Sequence, residues 1–317
     1  MTMTVDQLYR LPPMDLFIHW IRERHQVFLR RQAGLPKPWT QDPIIRTTFF
    51  TNVYRECDKV TRWYKQNIRE PLKYNPAVLF ATICFRWFNL PSTGMLLLGD
   101  VEEGGEVSNL LTHWDEAEAV DRLAAHRDAG NQIFTGAFNI SNGGSTKPNV
   151  SRVCEDYLTP AWAACTNDVN DSEDSGWLRA EFLHGACEKK ITLAGAHELL
   201  GELPGMGGSG FMAAQVVCDL KYTPYLKNAP DWWTWCSPGP GSKRGLNILL
   251  RRPVDGPVPK DWLEHINVLR ETVHQKLPKY PKLHAQDLQN CLCEYAKYHH
   301  VLHGGRPKRK YPGANNS

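Results

Sequence analysis

Leu203-Pro-Gly-Met-Gly-Gly-Ser-Gly-Phe-Met-Ala-Ala214, continuing through Gln215 to Asp219, is the most telling stretch of the chain. A Pro-Gly-x-Gly turn opens straight into Ala, Met and Val at helical spacing, which predicts a helix over Ser209–Leu220. Gly205 and Gly207 can take positive φ, and without a Cβ they let backbone come close to a partner. The N–H groups of the helix start and the positive end of its dipole point back into the turn. An anion there is held by backbone amides rather than by side chains. The same stretch also suits an ordinary glycine-rich connection between two helices.

The spacing of the turn matches the hairpin of helix-hairpin-helix modules, which grip a DNA backbone phosphate in this way. Gly205, Gly207, Gly208 and Ser209 are the expected DNA-backbone contacts. Working outward, helical periodicity dominates. Val5 to Arg31 predicts a helix broken at Pro12-Pro13. In Arg46–Glu70, Phe50, Val53, Cys57, Val60 and Tyr64 repeat at alternating spacings of three and four, which predicts one helix ended by Pro71. Ala77–Phe88 is nearly all apolar and reads as a buried helix. Further helices are expected at 114–129, 151–166, 176–189, 193–200, 260–275 and 283–300. Strand-like alternation is almost absent, so the fold class is mainly α. The Gly, Ser, Asn and Pro of 139–149 suggest a boundary. It divides an N-terminal helical lobe, 1–140, from a hairpin lobe, 141–303, followed by a basic tail, 304–317.

With 317 residues, 42% of them hydrophobic, the chain can bury a sizeable core. No apolar run approaches a membrane span, and the N-terminus lacks the pattern of a secretory leader, so a cytoplasmic protein without membrane contact is expected. The nine cysteines are scattered, and Cys291-x-Cys293 points its thiols apart on a helix, which argues for reduced thiols and no metal site. His113, His184 and His197 stand alone and suit structural roles better than metal ligation. Net charge is only +3, but it is segregated. Residues 102–121 and 155–174 are acidic, Lys243, Arg244, Arg251 and Arg252 cluster, and Arg306, Lys308, Arg309 and Lys310 form a basic tail. Such a one-sided field steers a polyanion, or simply keeps the chain soluble.

Three constellations carry candidate chemistry. On the expected helix 46–70, Arg55, Asp58 and Arg62 fall on one face, a clamp for phosphate or carboxylate, or else an exposed salt bridge. On the expected helix 283–300, Asp287, Asn290 and Glu294 fall on one flank. This row suits either an amine and its proton or a plain surface network, and His284 lies one turn before it. Asp231-Trp-Trp-Thr-Trp235 offers Trp232, Trp233 and Trp235 as faces on which a base can stack, unless they pack a core. It runs into Cys236-Ser-Pro-Gly-Pro-Gly-Ser-Lys-Arg-Gly245, where Ser242, Lys243 and Arg244 in a glycine-rich run suggest a second anion-binding loop. Lys221 and Tyr222, at the end of the hairpin helix, can line the same cleft.

Together, Phe50-Thr-Asn-Val-Tyr-Arg-Glu-Cys-Asp58, Thr61-Arg-Trp63, Phe134-Thr-Gly-Ala-Phe138, Leu203-Pro-Gly-Met-Gly207, Asp219-Leu-Lys-Tyr-Thr-Pro224, Gly239 to Asn247 and Leu283 to Glu294 resemble a known family. They look like the phage amino acid:DNA transferases, also called alpha-glutamyl/putrescinyl thymine pyrophosphorylases. That family shares its helical module with proteins linked to 5-hydroxymethyluracil DNA kinases. The resemblance covers roughly residues 40–313.

The resemblance implies a helix-hairpin-helix DNA-glycosylase-like fold and a DNA hypermodification enzyme. A kinase first phosphorylates 5-hydroxymethyluracil in phage DNA. The transferase then replaces the (pyro)phosphate on the 5-methylene with the amine of an amino acid, glycine being the first choice. Double-stranded DNA carrying the phosphorylated base is the partner, the base kinase a pathway partner, and free glycine a co-substrate, with no cofactor. The target base is flipped out and stacks on Trp232, Trp233 or Trp235. Arg55, Arg62, Lys243 and Arg244 assist the leaving phosphate, with Lys221 and Ser242 beside them. Asp231, Asp287 or Glu294 takes the amine proton, with Asn290 and Asp58 in support, and Cys236 stands as a candidate nucleophile for the ring. Where lyase-active glycosylases carry a Schiff-base lysine, this chain has Ser209, which puts strand cleavage in doubt. A monofunctional glycosylase and a non-catalytic DNA-binding partner of a base kinase are the alternatives.

Overall fold

A computed structural model of the chain describes residues 3–99, 109–136, 146–166, 175–188, 190–208 and 210–307. Every regular element among the described residues is helical, as the missing strand alternation leads one to expect. The chain forms two compact units. Residues 1–58 and 233–317 make the first, and residues 59–232 make the second. The division expected at 140/141 falls inside the second unit, and most of the loop that suggested it, 137–145, lies outside the described residues.

The first unit opens with α1 (Val5–Tyr9), whose start is closed by a Thr4–Gln7 capping box. Pro12-Pro13 breaks the chain as expected, and Pro13 is the first residue of α2 (Pro13–Gln32). Leu16, Phe17, Trp20, Ile21 and Val27 form the buried stripe of α2. In α3 (Pro43–Thr47), Asp42 caps the N–H groups of Ile44 and Ile45 through one oxygen, while the other takes bonds from His19 and Tyr298.

The single helix expected over Arg46–Glu70 does not form. After α3 the backbone is extended at Thr48 and Tyr54, makes one tight turn at Arg55–Cys57, and resumes as α4 (Lys59–Tyr64), which runs into a wider π-type turn at Lys65–Arg69. The three–four spacing was present, but side chains from far along the sequence take up the backbone groups of 51–55. That tertiary bonding outweighs the modest helix propensity of the Thr- and Asn-containing stretch.

Within the second unit, α5 (Val78–Phe88) is buried on all sides and stops at Asn89, which is left-handed at φ 51°. There follow α6 (Pro91–Leu98), α7 (Asn109–Thr112) and α8 (Glu116–Asp128), the last capped by Asp115. Next, α9 (Asn149–Ser151) passes through a π-type stretch, Arg152–Leu158, into α10 (Thr159–Cys165), filling the helix expected there. Then come α11 (Trp177–Cys187), α12 (Leu193–Gly201) and α13 (Phe211–Leu220). Ser209 lies outside the described residues, and α13 begins later than expected because Gly210, at φ 64°, is its N-cap.

The chain returns to the first unit with α14 (Pro240–Leu249), α15 (Trp262–Lys276) and α16 (Ala285–Leu302). The core there joins α1–α3 to α14–α16 around Phe17, Trp20, Phe50, Tyr295 and Tyr298. The run Gly239–Gly245 is a correction. It is not a loop but the first turns of α14, with Pro240 at its start and Ser242 closing the cap on Gly239. Its glycines serve contact: a Cβ on Gly245 would stand 2.2 Å from the carbonyl oxygen of Leu292 in α16, and one on Gly241 2.3 Å from Sγ of Cys293. Among the described residues no helix is long and apolar enough to cross a membrane.

Candidate functional site

In the second unit the glycine turn joins two helices, α12 and α13, as a helix–turn–helix hairpin. Leu203 and Met206 are buried and anchor the turn, while Gly205, Gly207 and Gly208 are exposed and present backbone. Gly205 is at φ 77°, and a Cβ there would meet the Tyr157 ring at 2.8 Å, which itself stacks on Trp87. Gly210 brings no side-chain acceptor to the first turn of α13, so that turn keeps its positive character. His197, one of the lone histidines, has a structural place: its Nε2 lies 2.9 Å from the carbonyl oxygen of Gly210 and ties the two hairpin helices together.

Asp231, a candidate proton acceptor by the resemblance, belongs to this hairpin. Its two oxygens accept the N–H groups of Leu193 (2.7 Å) and Ala194 (3.1 Å), so it caps α12 together with Thr192. Lys221 is fully buried, donates from Nζ to the carbonyl oxygen of Trp232, and lies 3.7 Å from the centre of that indole. Trp232 Nε1–H donates back to the Lys221 carbonyl. Tyr222 meets Trp232 edge-on and carries the Arg69 guanidinium on its other ring contact, 4.5 Å away. Lys221 and Trp232 therefore brace one another. Arg62 is exposed on α4.

Residues of this unit that the sequence did not single out are Arg86, Asn89 and Asp219. Arg86 and Asp219 form a buried two-point ion pair, Nε to Oδ2 and Nη2 to Oδ1, and Arg86 Nη1 also donates to Asn89. One signal was present. A lone arginine in the all-apolar run 78–88 must be paired to be buried.

In the first unit the structure brings together two constellations that the sequence kept apart. The stretch 50–58 lies against α16, and the α16 row holds its backbone. Glu294 accepts the N–H of Thr51 at 3.1 Å, and Asp287 that of Arg55 at 3.0 Å. Asn290 donates to Thr51 Oγ1 and to the Asn52 carbonyl oxygen. His284 Nδ1 accepts the Asp287 N–H, which leaves the proton on Nε2 to face Asp287 Oδ2 at 3.1 Å. From the other side Arg24 binds the Phe50 carbonyl and Asn52 Oδ1. Asp58 closes the stretch on itself by accepting the Asn52 N–H at 2.8 Å. The expected Arg55–Asp58–Arg62 helix face is thus overturned: Arg55 and Asp58 sit in this polar centre, on backbone that is not one helix with Arg62.

The centre balances cations against acids. Arg24, Arg55 and Lys297 face Asp58, Asp287 and Glu294, with Lys297 paired to Glu294. Burial works against the charge of Lys297, but Glu294 holds its pKa above the ordinary value. Burial pushes the Asp58 carboxyl up to about 6, against the pull of the Asn52 N–H, Arg55 and Arg24. The Cys291 thiol is raised by burial and by Asp287, Glu294 and Asp58, so it stays protonated. An acid with a raised pKa favours the fold most when neutral. That contribution is complete below the unfolded value near 4 and is lost as pH rises through about 6. Asp58→Asn is therefore expected to gain up to about 3 kcal/mol on the wild type between pH 4 and pH 7. Urea titrations of both proteins across that range check this, and a constant difference would contradict it.

The remaining candidates divide. Trp233 is 46% exposed and Trp235 7%, so of these two only Trp233 offers a face. Ser242 is buried and bonded to Gly239 and Gln289, and Cys236 is part of the core. Lys243 is half-buried, Arg244 is exposed and paired with Asp255, and Arg306 is exposed. Lys308 and Lys310 lie outside the described residues. Among the described residues no cluster of His, Cys, Asp and Glu is arranged to hold a metal ion.

A 5-hmdU DNA kinase of Bacillus phage SP10 is 27% identical over 249 residues, 74% of this chain and 36% of that protein. The chain spans about a third of the length of this curated relative. No solved structure is significantly similar. The model of the helical domain of 5-hmdU DNA kinases matches residues 12–306, which takes in the hairpin, the 50–58 stretch and α16. By that match, the chain belongs to the family of 5-hmdU DNA kinase helical domains.

Proposed function

We propose that the chain acts in the hypermodification of 5-hydroxymethyluracil DNA, as a transferase that replaces the (pyro)phosphate of a 5-(pyro)phosphomethyluracil with the amine of an amino acid, glycine first. The observation that carries this reading is the family match over residues 12–306. The charge-balanced polar centre on α16 supports it. The exposed glycine turn of a helix-hairpin-helix, glycosylase-like fold grips the DNA backbone without reading sequence. Trp233 stacks on the flipped base. Asp287, Asn290 and Glu294 hold the 50–58 stretch, so that Arg55 is presented to the leaving phosphate, with Lys243 and Arg244 as further cations. Asp58, with its pKa near 6, is suited to take the proton that the incoming amine loses. Carbon–nitrogen bond formation at the methylene then releases phosphate.

The test is mass spectrometry of nucleosides after incubation with phosphomethyluracil duplex DNA and isotopically labelled glycine. Label retained in an intact nucleoside is the expected result. Released base would favour a monofunctional glycosylase, and DNA binding without chemistry a positioning partner for a kinase. Asp58→Asn is expected to lower label incorporation at least tenfold and to abolish its rise through pH 6. An unchanged pH profile would remove Asp58 from the chemistry.

A further inference from the structure

Among the described residues, the second unit buries a cation that has no counter-ion. Arg152 is 2% exposed, and its Nη2 donates to Asn149 Oδ1 at 2.8 Å. Its Nε and Nη1 are buried and have no hydrogen-bond partner. A guanidinium is always charged, and burying it beside one neutral amide is strongly unfavourable. Asn149, itself exposed, lines a cleft of about 400 Å³ together with Arg127, Asn131, Ile133, Phe134 and Val150, and Arg152 lies behind Asn149 rather than in the lining. Among the described residues no carboxylate lines this cleft.

Its wall is fixed. Thr93 Oγ1–H donates to the Ile133 carbonyl, the Thr135 N–H donates to that of Phe88, and Phe134 stacks on Phe88 at 5.2 Å. The cleft has the size of a small-molecule site, with apolar faces beside a few polar groups. The Asn149 oxygen occupies the place on the guanidinium that a charged oxygen would fill better.

We infer that this cleft binds a small oxyanion, a carboxylate or a phosphate, with one of its oxygens replacing Asn149 on Arg152. The site is separate from the residues proposed for the DNA chemistry, and it stands or falls independently of them.

Thermal melts of the full chain test it, with inorganic phosphate and glycine as separate probes and sodium chloride as the ionic-strength control. The expected result is a rise of about 5 °C in Tm at a hundredfold excess over Kd for at least one probe. A response to phosphate alone identifies a phosphoryl ligand, and a response to glycine alone an amino-acid carboxylate. Arg152→Met is expected to lose the response while melting no lower than the wild type, because it removes an unpaired charge. Asn149→Ala is expected to keep the response or strengthen it. No response to either probe, a response retained in Arg152→Met, or an Arg152→Met protein that fails to fold would each overturn the inference.

Discussion

Asp219→Ala is expected to destabilise the second unit by about 3–5 kcal/mol, the usual cost of breaking a buried ion pair from one side. The loss is not that of the pair's own net energy, which is small once desolvation is counted. It arises because Arg86, 2% exposed, keeps its charge with, among the described residues, Asn89 and the neighbouring rings of Tyr64 and Phe85 to hold it. Arg86→Met combined with Asp219→Leu should recover most of the stability, since both charges then leave together. Denaturant unfolding of the two single variants and the double variant measures this. If the double variant is as unstable as the sum of the singles, the pair is not acting as a unit.

Gly245→Ala should loosen the packing of α14 on α16 and cost about 2 kcal/mol net. Alanine favours a helix over glycine by only about 1 kcal/mol. Against that gain, the new methyl would stand 2.2 Å from the Leu292 oxygen and 2.7 Å from its carbonyl carbon. Both are helix backbone and cannot swing aside, so the two helices must separate, and overpacking of that kind costs about 1–3 kcal/mol or more. Gly241→Ala offers an internal control. Its clash is chiefly with Sγ of Cys293, so Cys293→Ala should rescue it and should not rescue Gly245→Ala. Equal rescue of both would show that the contact is not backbone-limited.

These two sites also show what the sequence could and could not convey. Local signals were read correctly. Pro12-Pro13 broke the first helices, the apolar run before Asn89 became α5, and the glycine turn after Leu203 became an exposed connection between two helices. Signals that depend on distant partners were misread. Phe50, Val53, Cys57, Val60 and Tyr64 carry helical spacing, yet the backbone around Phe50 and Val53 is not helical, because Asp287, Asn290 and Glu294 accept or supply the hydrogen bonds of 51–55. The glycines of 239–245 look like a loop in isolation, and only the surface of α16 shows why they lie in a helix. For the candidate site, the residues were legible but their grouping was not. The acidic row and the Arg55 stretch are separate constellations in the sequence and one centre in the structure, whereas Asp231, read with the tryptophans, caps α12.

The first unit is assembled from both ends of the chain, residues 1–58 and 233–317, with the second unit inserted between them. On the ribosome this imposes an order of events. The acceptors and donors that α16 provides for Thr51, Asn52 and Arg55 are translated on the order of ten seconds or more after their targets. Until then those backbone groups of the 50–58 stretch can bond only to water, and the apolar stripe of α2 lacks its cover from α16, whereas residues 59–232 can already be folding behind it. Synthesis therefore has a vulnerable window for this polypeptide, and chaperone demand should fall when α16 emerges rather than when the first helices do.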